Sequence, residues 1–318
     1  MTLPALRLGT RASLLATTQS GTVADALRAA TGREVELVRI MTDGDVLTGP
    51  LAQLGGTGVF VAALRDALLR GECDLVVHSM KDLPTAAVPG LAIGAVPPRA
   101  PVRDALCARD GLTLDALPHG AVVGSGSPRR VAQLLSARPD LDVRGIRGNV
   151  DTRLRKVDDG EYDAVVLAEA GLTRIGRTDR ITDVFDASRW PTSAGQGALA
   201  VEVRSDDPFA ADLAAISDAD AEITALLERA VLRRLEAGCA APVGIAARLD
   251  ADASDADAVT LVAEVYALDG ARSVRVERSL PRAAVAADGG REDAAAEVVA
   301  ELLGRGAGEL ADLVGSGR

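Results

Sequence analysis

Short apolar, β-branched runs alternate with helical patterns through the first half of this 318-residue chain. The pattern predicts strands at residues 6–8, 35–38 and 74–78, with helices at 13–30 and 59–70 between them. Such alternation is typical of α/β units packed around a parallel or mixed sheet. We therefore expect an α/β fold.

Prolines and polar segments divide the pattern into regions. Pro97, Pro98 and Pro101 restrict the backbone to extended geometry, so a domain crossing is expected there. A second break follows at Trp190-Pro191, and a smaller α+β unit is expected towards the end. The predicted elements after the first crossing are strands at 121–123, 142–144, 164–168, 198–203, 260–267 and 273–277, and helices at 128–137, 150–157, 220–236 and 292–303.

Composition excludes several classes of protein. A hydrophobic content of 48% with 25% charge is globular, and no run reaches the roughly 20 apolar residues of a membrane span. The start of the chain lacks the pattern of a secretory signal, so a cytoplasmic location is expected. A net charge of −11 argues against an extended nucleic-acid surface. Three cysteines without a CxxC pair, and only two histidines, predict neither a disulfide framework nor a metal site.

Three predicted strand-to-helix turns carry arginine or hydroxyl residues, at positions 9–13, 124–130 and 144–153. Free N–H groups and the positive end of a helix dipole favour anions at such turns, and arginine adds bidentate carboxylate recognition. Ser127 suits an N-cap, Pro128 the first helical position, and Asn149 the cap of the next helix. Ordinary capping beside solvated arginines is the alternative for any single turn.

Positive charge is concentrated in one part of an acidic chain. Residues 129–156 contain seven arginines and one lysine against three aspartates, a local charge of +5. Ligands of α/β sheets bind at the carboxyl ends of strands, where these turns are expected. A ligand with several carboxylates therefore fits better than a single phosphate. Neither a P-loop nor the dinucleotide GxGxxG pattern is present, so nucleotide cofactors are not expected.

Three further residues are candidates for chemistry. Lys81 and Asp82 follow a buried strand directly, and Lys81 is one of only two lysines in the chain. Asp82 suits general-acid or charge-stabilising work, although a strand-end ion pair is the alternative. Cys239 lies in a turn of small residues that leaves room around its sulfur, whereas a buried apolar role is the alternative and is expected for Cys73 and Cys107. His78 adjoins the strand and could as easily be a satisfied core histidine, so a Cys–His catalytic pair is not indicated.

Taken together, these segments closely resemble the porphobilinogen deaminases over nearly the whole chain. Several blocks in the right order make the resemblance specific. The matching blocks are Gly9-Thr10-Arg11-Ala12-Ser13, His78-Ser79-Met80-Lys81-Asp82, Gly124-Ser125-Gly126-Ser127-Pro128-Arg129-Arg130, Arg147-Gly148-Asn149-Val150-Asp151-Thr152-Arg153, Ala194-Gly195-Gln196-Gly197-Ala198 and Gly238-Cys239.

The resemblance implies a role for each candidate residue. Cys239 would carry a dipyrromethane cofactor through a thioether, one per chain, and Asp82 would be the main catalytic residue. The residues implied to bind the cofactor with Cys239 are Lys81, Asp82, Ser127, Arg129, Arg130, Gly145 and Arg147. Those implied to bind substrate are Arg11, Ser13, Arg147, Asn149, Arg153, Arg174 and Gln196.

The resemblance also implies the reaction and the fold. Four porphobilinogen molecules would be joined head to tail on the primer, with loss of ammonia through an azafulvene and hydrolytic release of hydroxymethylbilane. Two α/β lobes would resemble periplasmic binding proteins, and a smaller α+β domain would carry the cysteine. The implied boundaries are residues 1–97 with 198–217 for domain 1, 98–197 for domain 2, and 218–318 for domain 3.

Some positions depart from the commonest family pattern. Gln53 and Thr57 stand where lysines are usual, and Asp43 stands where a basic residue is common. The role of this loop in holding pyrrole carboxylates is therefore open. A non-catalytic two-lobed receptor for a small polycarboxylate is the alternative function, since it would need the anion-binding turns but no special thiol. Porphobilinogen would be the small-molecule partner of a monomer that binds neither nucleic acid nor membrane.

Overall fold

The structure is a computed structural model that describes residues 4–41, 58–237, 241–249, 257–311 and 313. The strands are β1 (Leu6–Thr10), β2 (Val35–Arg39), β3 (Leu75–Ser79), β4 (Leu91–Ala95), β5 (Asp104–Ala108), β6 (Val122–Gly124), β7 (Asp142–Arg144), β8 (Ala164–Ala168), β9 (Asp183–Val184), β10 (Leu199–Arg204), β11 (Val243–Leu249), β12 (Ala258–Tyr266) and β13 (Ser273–Pro281). The helices are α1 (Leu14–Thr31), α2 (Gly58–Leu69), α3 (Pro128–Ala137), α4 (Val150–Asp158), α5 (Glu169–Arg174), α6 (Ala210–Ala214), α7 (Ala219–Arg234), α8 (Arg282–Ala286) and α9 (Gly290–Gly304).

The chain divides into two compact units. The first comprises residues 1–100 and 197–222, and the second comprises residues 101–196 and 223–318. Each unit contains a five-stranded mixed sheet, and the second also contains a three-stranded antiparallel sheet. The predicted α/β class is confirmed, whereas the boundaries of three separate domains stay a prediction.

In the first unit, the strands lie in the order β2-β1-β3-β10-β4. β1 pairs in parallel with β2 and β3, while β10 runs antiparallel between β3 and β4. β3 is buried on both faces and therefore reads as a continuous apolar run rather than an alternating one. Leu6, Leu8 and Leu75 belong to the core between the sheet and α1.

The sheet of the second unit has the order β7-β6-β8-β5-β9. β6 pairs in parallel with β7 and β8, and β5 runs antiparallel to β8 and β9. Its first helix, α3, begins at Pro128 with Ser127 at the N-cap, as predicted. The carboxyl ends of β6, β7 and β8 consequently lie at one edge of this sheet, where the arginine-bearing segments begin.

The remainder of the second unit is the α+β part of the chain. β11, β12 and β13 form an antiparallel sheet in that order. Helices α7 and α9 bury Leu227, Val231, Val298 and Leu302 in the same core cluster as strand residues such as Leu261. None of the helices in the described ranges is long and apolar enough to cross a membrane.

Candidate active site

The turn between β1 and α1 holds Arg11 and Ser13. Ser13 is the N-cap of α1, and its Oγ accepts a hydrogen bond from the backbone N–H of Ala16 at 3.4 Å. Arg11 is half-buried and Ser13 is exposed. Because helix N-termini favour negative charge and Arg11 adds a cation, this turn suits a carboxylate.

Lys81 and Asp82 lie in a single turn of 3-10 helix, Met80–Asp82, directly after β3. The turn is held by its buried first residue: Met80 is fully buried, and its N–H donates to the carbonyl oxygen of Ala198 at 3.0 Å. Lys81 is half-buried, whereas Asp82 is exposed. The chain therefore presents a carboxylate on a rigid support at the end of a buried strand.

These two segments share one edge of the first sheet. β1 and β3 are parallel neighbours, with Leu8 opposite Leu75 and Gly9 opposite Val76. Since Arg11 follows β1 and Lys81 follows β3, both cations leave the sheet at its carboxyl edge. The structure thus brings together the predicted site residues of the first unit at that edge.

In the second unit, Arg129 and Arg130 converge on a carboxylate that the sequence analysis did not single out. Nη1 of Arg129 lies 2.8 Å from Oδ2 of Asp104, and Nη2 of Arg130 lies 2.7 Å from Oδ1. Asp104 is fully buried at the start of β5. Its oxygens also accept hydrogen bonds from Nε1 of Trp190 at 3.2 Å and Nε2 of Gln196 at 2.8 Å.

Positive charge exceeds negative charge within this buried group. Burial alone would raise the pKa of Asp104, but Arg129 and Arg130 outweigh burial and hold the pKa well below its usual range. One carboxylate therefore faces two guanidinium groups, which leaves the group with a net charge of +1. Such a surplus in a dry interior favours a neighbouring anion.

The remaining predicted cations of the second unit lie after β7 and on α4 and α5. Arg147 is exposed, while Arg153 and Arg174 are half-buried. Burial lowers the pKa of Arg153, with repulsion from Arg130 adding to the effect, and burial also lowers that of Arg174. Within the described ranges, no carboxylate forms an ion pair with Arg147 or Arg153. These guanidinium groups are suited to binding acidic side chains of a ligand.

Three other predicted residues have defined surroundings in the second unit. Asn149 is the N-cap of α4, and its Oδ1 accepts a hydrogen bond from the N–H of Thr152 at 2.8 Å. The carbonyl oxygen of Gly145 accepts a hydrogen bond from the hydroxyl of Tyr162 at 2.8 Å. Ser127 occupies its N-cap position without a capping hydrogen bond from its side chain.

Gln196 is buried, and its amide joins the Asp104 group to the backbone before β5. Nε2 donates to the carbonyl oxygen of Val102 at 2.8 Å as well as to Asp104, and Oε1 lies 3.5 Å from Nη2 of Arg130. Arg129, Arg130 and Gln196 thus have structural bonds in addition to the binding roles predicted for them, which stay predictions.

The cysteines fall into two groups. Cys73 and Cys107 are buried, as expected, and burial raises the pKa of their thiols to about 11 and about 12 respectively. Thiolates at these positions are therefore scarce at neutral pH. Cys239 lies outside the described residues, as do the family departures Asp43, Gln53 and Thr57.

Glu228 holds the elements on either side of the segment that contains Cys239. This carboxylate is buried on α7, which precedes the segment, and Oε1 accepts a hydrogen bond from the N–H of Ala247 on β11, which follows it, at 2.7 Å. Oε2 accepts another from the N–H of Gly195 at 2.7 Å. The sequence carries a signal for this residue, because Glu228 lies on the same helical face as the buried Leu227 and Val231.

The chemistry of these donors fits a dipyrromethane group. Such a group is acidic at its edges, because each pyrrole ring carries carboxylate side chains. Nε of Arg129 and Nε of Arg130 are buried, and no acceptor for them lies among the described residues. Together with the surplus positive charge around Asp104, these donors indicate that the second unit accommodates an anion of this class.

Comparison with known proteins agrees with this geometry. Residues 6–212 match the family model described as porphobilinogen deaminase, dipyromethane cofactor binding domain. Residues 222–301 match the model described as porphobilinogen deaminase, C-terminal domain. The resemblance drawn from the sequence blocks is therefore confirmed.

Relatives and solved structures extend the comparison. A porphobilinogen deaminase of Leifsonia xyli is 54% identical, covering 98% of this chain and 95% of the relative. Another, of Thermobifida fusca, is 55% identical, covering 86% of this chain and 85% of the relative. The methionine-binding protein MetQ is a structural neighbour at a TM-score of 0.42 and 13% identity, covering 67% of this chain and 88% of MetQ. Because both family models match in order and curated relatives share half its residues over nearly its full length, the chain belongs to the porphobilinogen deaminase family.

Proposed function

We propose that this chain joins four porphobilinogen molecules head to tail on a dipyrromethane primer bound to Cys239, with release of ammonia and hydroxymethylbilane. Family membership supports the reaction, and the larger matched domain is a cofactor-binding domain. The structural observation that carries the proposal is the group of arginines in the segments that follow β6, β7 and β8 of the second unit. Arg153 lies there half-buried, with no carboxylate of the described residues paired to it.

Recognition of the substrate depends on its acidic side chains. Each pyrrole ring carries an acetate and a propionate, so a growing chain presents many carboxylates. Arg11 and Ser13 in the first unit, and Arg147, Asn149 and Arg153 in the second, would bind them by charge-assisted hydrogen bonds. Arg174 and Gln196 belong to the same predicted set.

Asp82 would perform the chemical work of this chain. As the aminomethyl group of porphobilinogen leaves as ammonia, positive charge develops on the pyrrole. The Asp82 carboxylate would stabilise that charge and contact the pyrrole N–H. Its support on the Met80–Asp82 turn suits this role, since a fixed carboxylate needs little reorganisation during the reaction.

The primer would be held by covalent and ionic contacts. When bound, the dipyrromethane supplies the free α-carbon to which the first pyrrole is added, and each later pyrrole is added to the free α-carbon of the ring before it. Cys239 would hold it through a thioether, while Lys81, Ser127, Arg129, Arg130 and Arg147 would bind its carboxylates, with Gly145 beside them. We further propose that the protein acts as a cytoplasmic monomer whose only partner is the small-molecule substrate.

An intact mass of the purified protein tests the proposal. We expect a surplus equal to two pyrrole units, which disappears in Cys239→Ser. Cys107→Ser, which alters a buried thiol, should keep the surplus and serves as the control. An unmodified mass in active enzyme would rule out the primer, and an unmodified, inactive protein that binds a small polycarboxylate would favour the receptor alternative.

A further inference from the structure

The end of β3 that precedes Asp82 is attached to its neighbours on both faces of the sheet. On one face, Ser79 Oγ accepts a hydrogen bond of 2.8 Å from Nε2 of Gln19 on α1. On the opposite face, Nε2 of His78 lies 3.2 Å from Oε2 of Glu202 on β10. Successive strand residues point to opposite faces, so adjacent residues hold β3 from both sides.

Glu202 is itself held by a third element. Nε of Arg65, on α2, lies 3.0 Å from Oε2 and its Nη2 lies 2.8 Å from Oε1, a bidentate ion pair. The exposed fraction of the side chain is 12% for Arg65 and 4% for Glu202. A buried carboxylate with such partners has little freedom, so it fixes α2, β10 and β3 relative to one another.

The charge state of Glu202 determines the role of His78. Burial alone would raise the pKa of Glu202, but hydrogen bonds from His78 and Arg65 outweigh burial and lower it. An ionised carboxylate only accepts hydrogen bonds, so Nε2 of His78 carries a hydrogen and donates the hydrogen bond to Glu202. The histidine that sequence alone left open is thus a satisfied buried donor, four positions before Asp82.

We infer that Gln19, Arg65, His78, Ser79 and Glu202, here called the β3 anchor, are positioning residues that fix the Met80–Asp82 turn and hence the Asp82 carboxylate. The inference rests on the proposed function of Asp82. A carboxylate that stabilises charge in a transition state must be held within a fraction of an ångström, and a misplacement of about 1 Å can cost about a hundredfold in rate. The anchor would supply that precision by holding β3 from both faces of the sheet.

The chain offers a control at the other end of the same strand. Asp74 directly precedes β3, and Arg7 on β1 forms a bidentate pair with it, at 2.7 Å from Nη2 to Oδ1 and 3.2 Å from Nε to Oδ2. Arg7→Met and Arg65→Met therefore each remove one arginine from a bidentate pair beside β3. Only Arg65→Met loosens the end that carries Asp82.

We expect kcat of Arg65→Met to fall about tenfold or more, with KM within about twofold of wild type, because the carboxylate is displaced while carboxylate binding is kept. Arg7→Met should lose stability in urea unfolding but keep kcat within about twofold. Equal losses of kcat in both variants would show a general effect of stability and overturn the inference, as would an unchanged kcat in folded Arg65→Met.

Two substitutions of His78 keep the test decisive if Arg65→Met does not fold. His78→Gln retains an N–H donor near the position of Nε2, whereas His78→Phe keeps a ring of similar size without a donor. We expect kcat to be largely restored in His78→Gln relative to His78→Phe. Equal kcat in these two variants, with Asp82→Asn inactive, would reject the anchor alone; an active Asp82→Asn would instead reject the proposed role of Asp82.

Discussion

Gln196 donates a hydrogen bond of 2.8 Å from Nε2 to Oδ1 of Asp104. This bond connects the segment that precedes β10 to the first residue of β5. Asp104 also accepts hydrogen bonds from Arg129, Arg130 and Trp190. Each carboxylate oxygen therefore has two donors, and a fully buried charge is completely satisfied. The stability of the second unit should depend strongly on this one side chain.

Asp104→Asn should lower the free energy of unfolding by about 3–5 kcal/mol, because it leaves two buried guanidinium groups without their carboxylate. Urea unfolding at pH 7 measures the effect. Asp110→Asn in the same unit is the matched control, since the Asp110 side chain is 79% exposed, and should change stability by less than about 0.5 kcal/mol. A loss in Asp104→Asn as small as that of the control would contradict the structural role of Asp104.

The stability of wild type and that of Asp104→Asn should depend differently on pH. The folded-state pKa of Asp104 is lowered from its ordinary 3.8, so the unfolded chain binds this proton more tightly. The carboxylate therefore contributes fully above about pH 5, and its contribution declines as the pH falls below about 4. We expect a constant difference between wild type and Asp104→Asn from pH 7 to pH 5 that shrinks at lower pH. A difference that grows on acidification would have the wrong sign.

Asp82→Asn should retain the bound primer and lose at least about a hundredfold in kcat, because an amide cannot stabilise positive charge on the pyrrole. Intact mass and steady-state rates together separate loading from turnover. Asp25→Asn, an exposed aspartate on α1, is the control and should keep normal activity. Near-normal turnover in Asp82→Asn would remove Asp82 from its proposed role.

Arg153→Gln should lower kcat/KM for porphobilinogen by about tenfold or more, since a charge-assisted hydrogen bond to a carboxylate is lost. Arg144→Gln is a matched control nearby, because Arg144 is paired with Asp142 and exposed. It should change kcat/KM by less than about twofold. Equal effects in the two variants would mean that general charge, rather than a specific contact, attracts the substrate.

Thiol titration should distinguish the two buried cysteines, Cys73 and Cys107, from Cys239. Burial raises the pKa of Cys73 to about 11 and that of Cys107 to about 12, so neither should react with a thiol reagent at pH 8 in the native protein. In denaturant, active enzyme should show these two thiols alone, because Cys239 is held in a thioether. Three reactive thiols in denatured, fully active enzyme would be incompatible with the proposed attachment.

Elements with strong local signals were predictable from sequence. The helix at 128–137 and the strands at 142–144 and 164–168 are confirmed at the predicted bounds, since Ser127-Pro128 marks the helix start and β8 contains two adjacent valines. β4, β5 and β11 were not predicted. They are rich in alanine, and β4 and β11 also contain glycine, so pairing with neighbouring strands rather than intrinsic propensity determines them.

In the candidate site, too, the features with local signals were predictable and the long-range contacts were not. The turns that carry Arg11, Lys81 and Asn149 follow strands as predicted, because turn and cap residues act locally. The ion pairs between Asp104 and the arginines 25 and 26 positions later could not be predicted, since only the folded sheet brings β5 beside α3. The contacts of Glu202 could not be predicted for the same reason, because its partners come from α2 and β3.

The position of β10 bears on how the protein is made on the ribosome. β10 separates β3 from β4, which precede it by about a hundred residues and do not pair with each other. During synthesis, β3 and β4 therefore emerge long before the strand that joins them, whereas β5 to β9 emerge as one uninterrupted stretch. The sheet translated first is thus completed after the second. Until β10 emerges, the apolar strands of the first sheet stay exposed, and the nascent chain then most needs protection from aggregation.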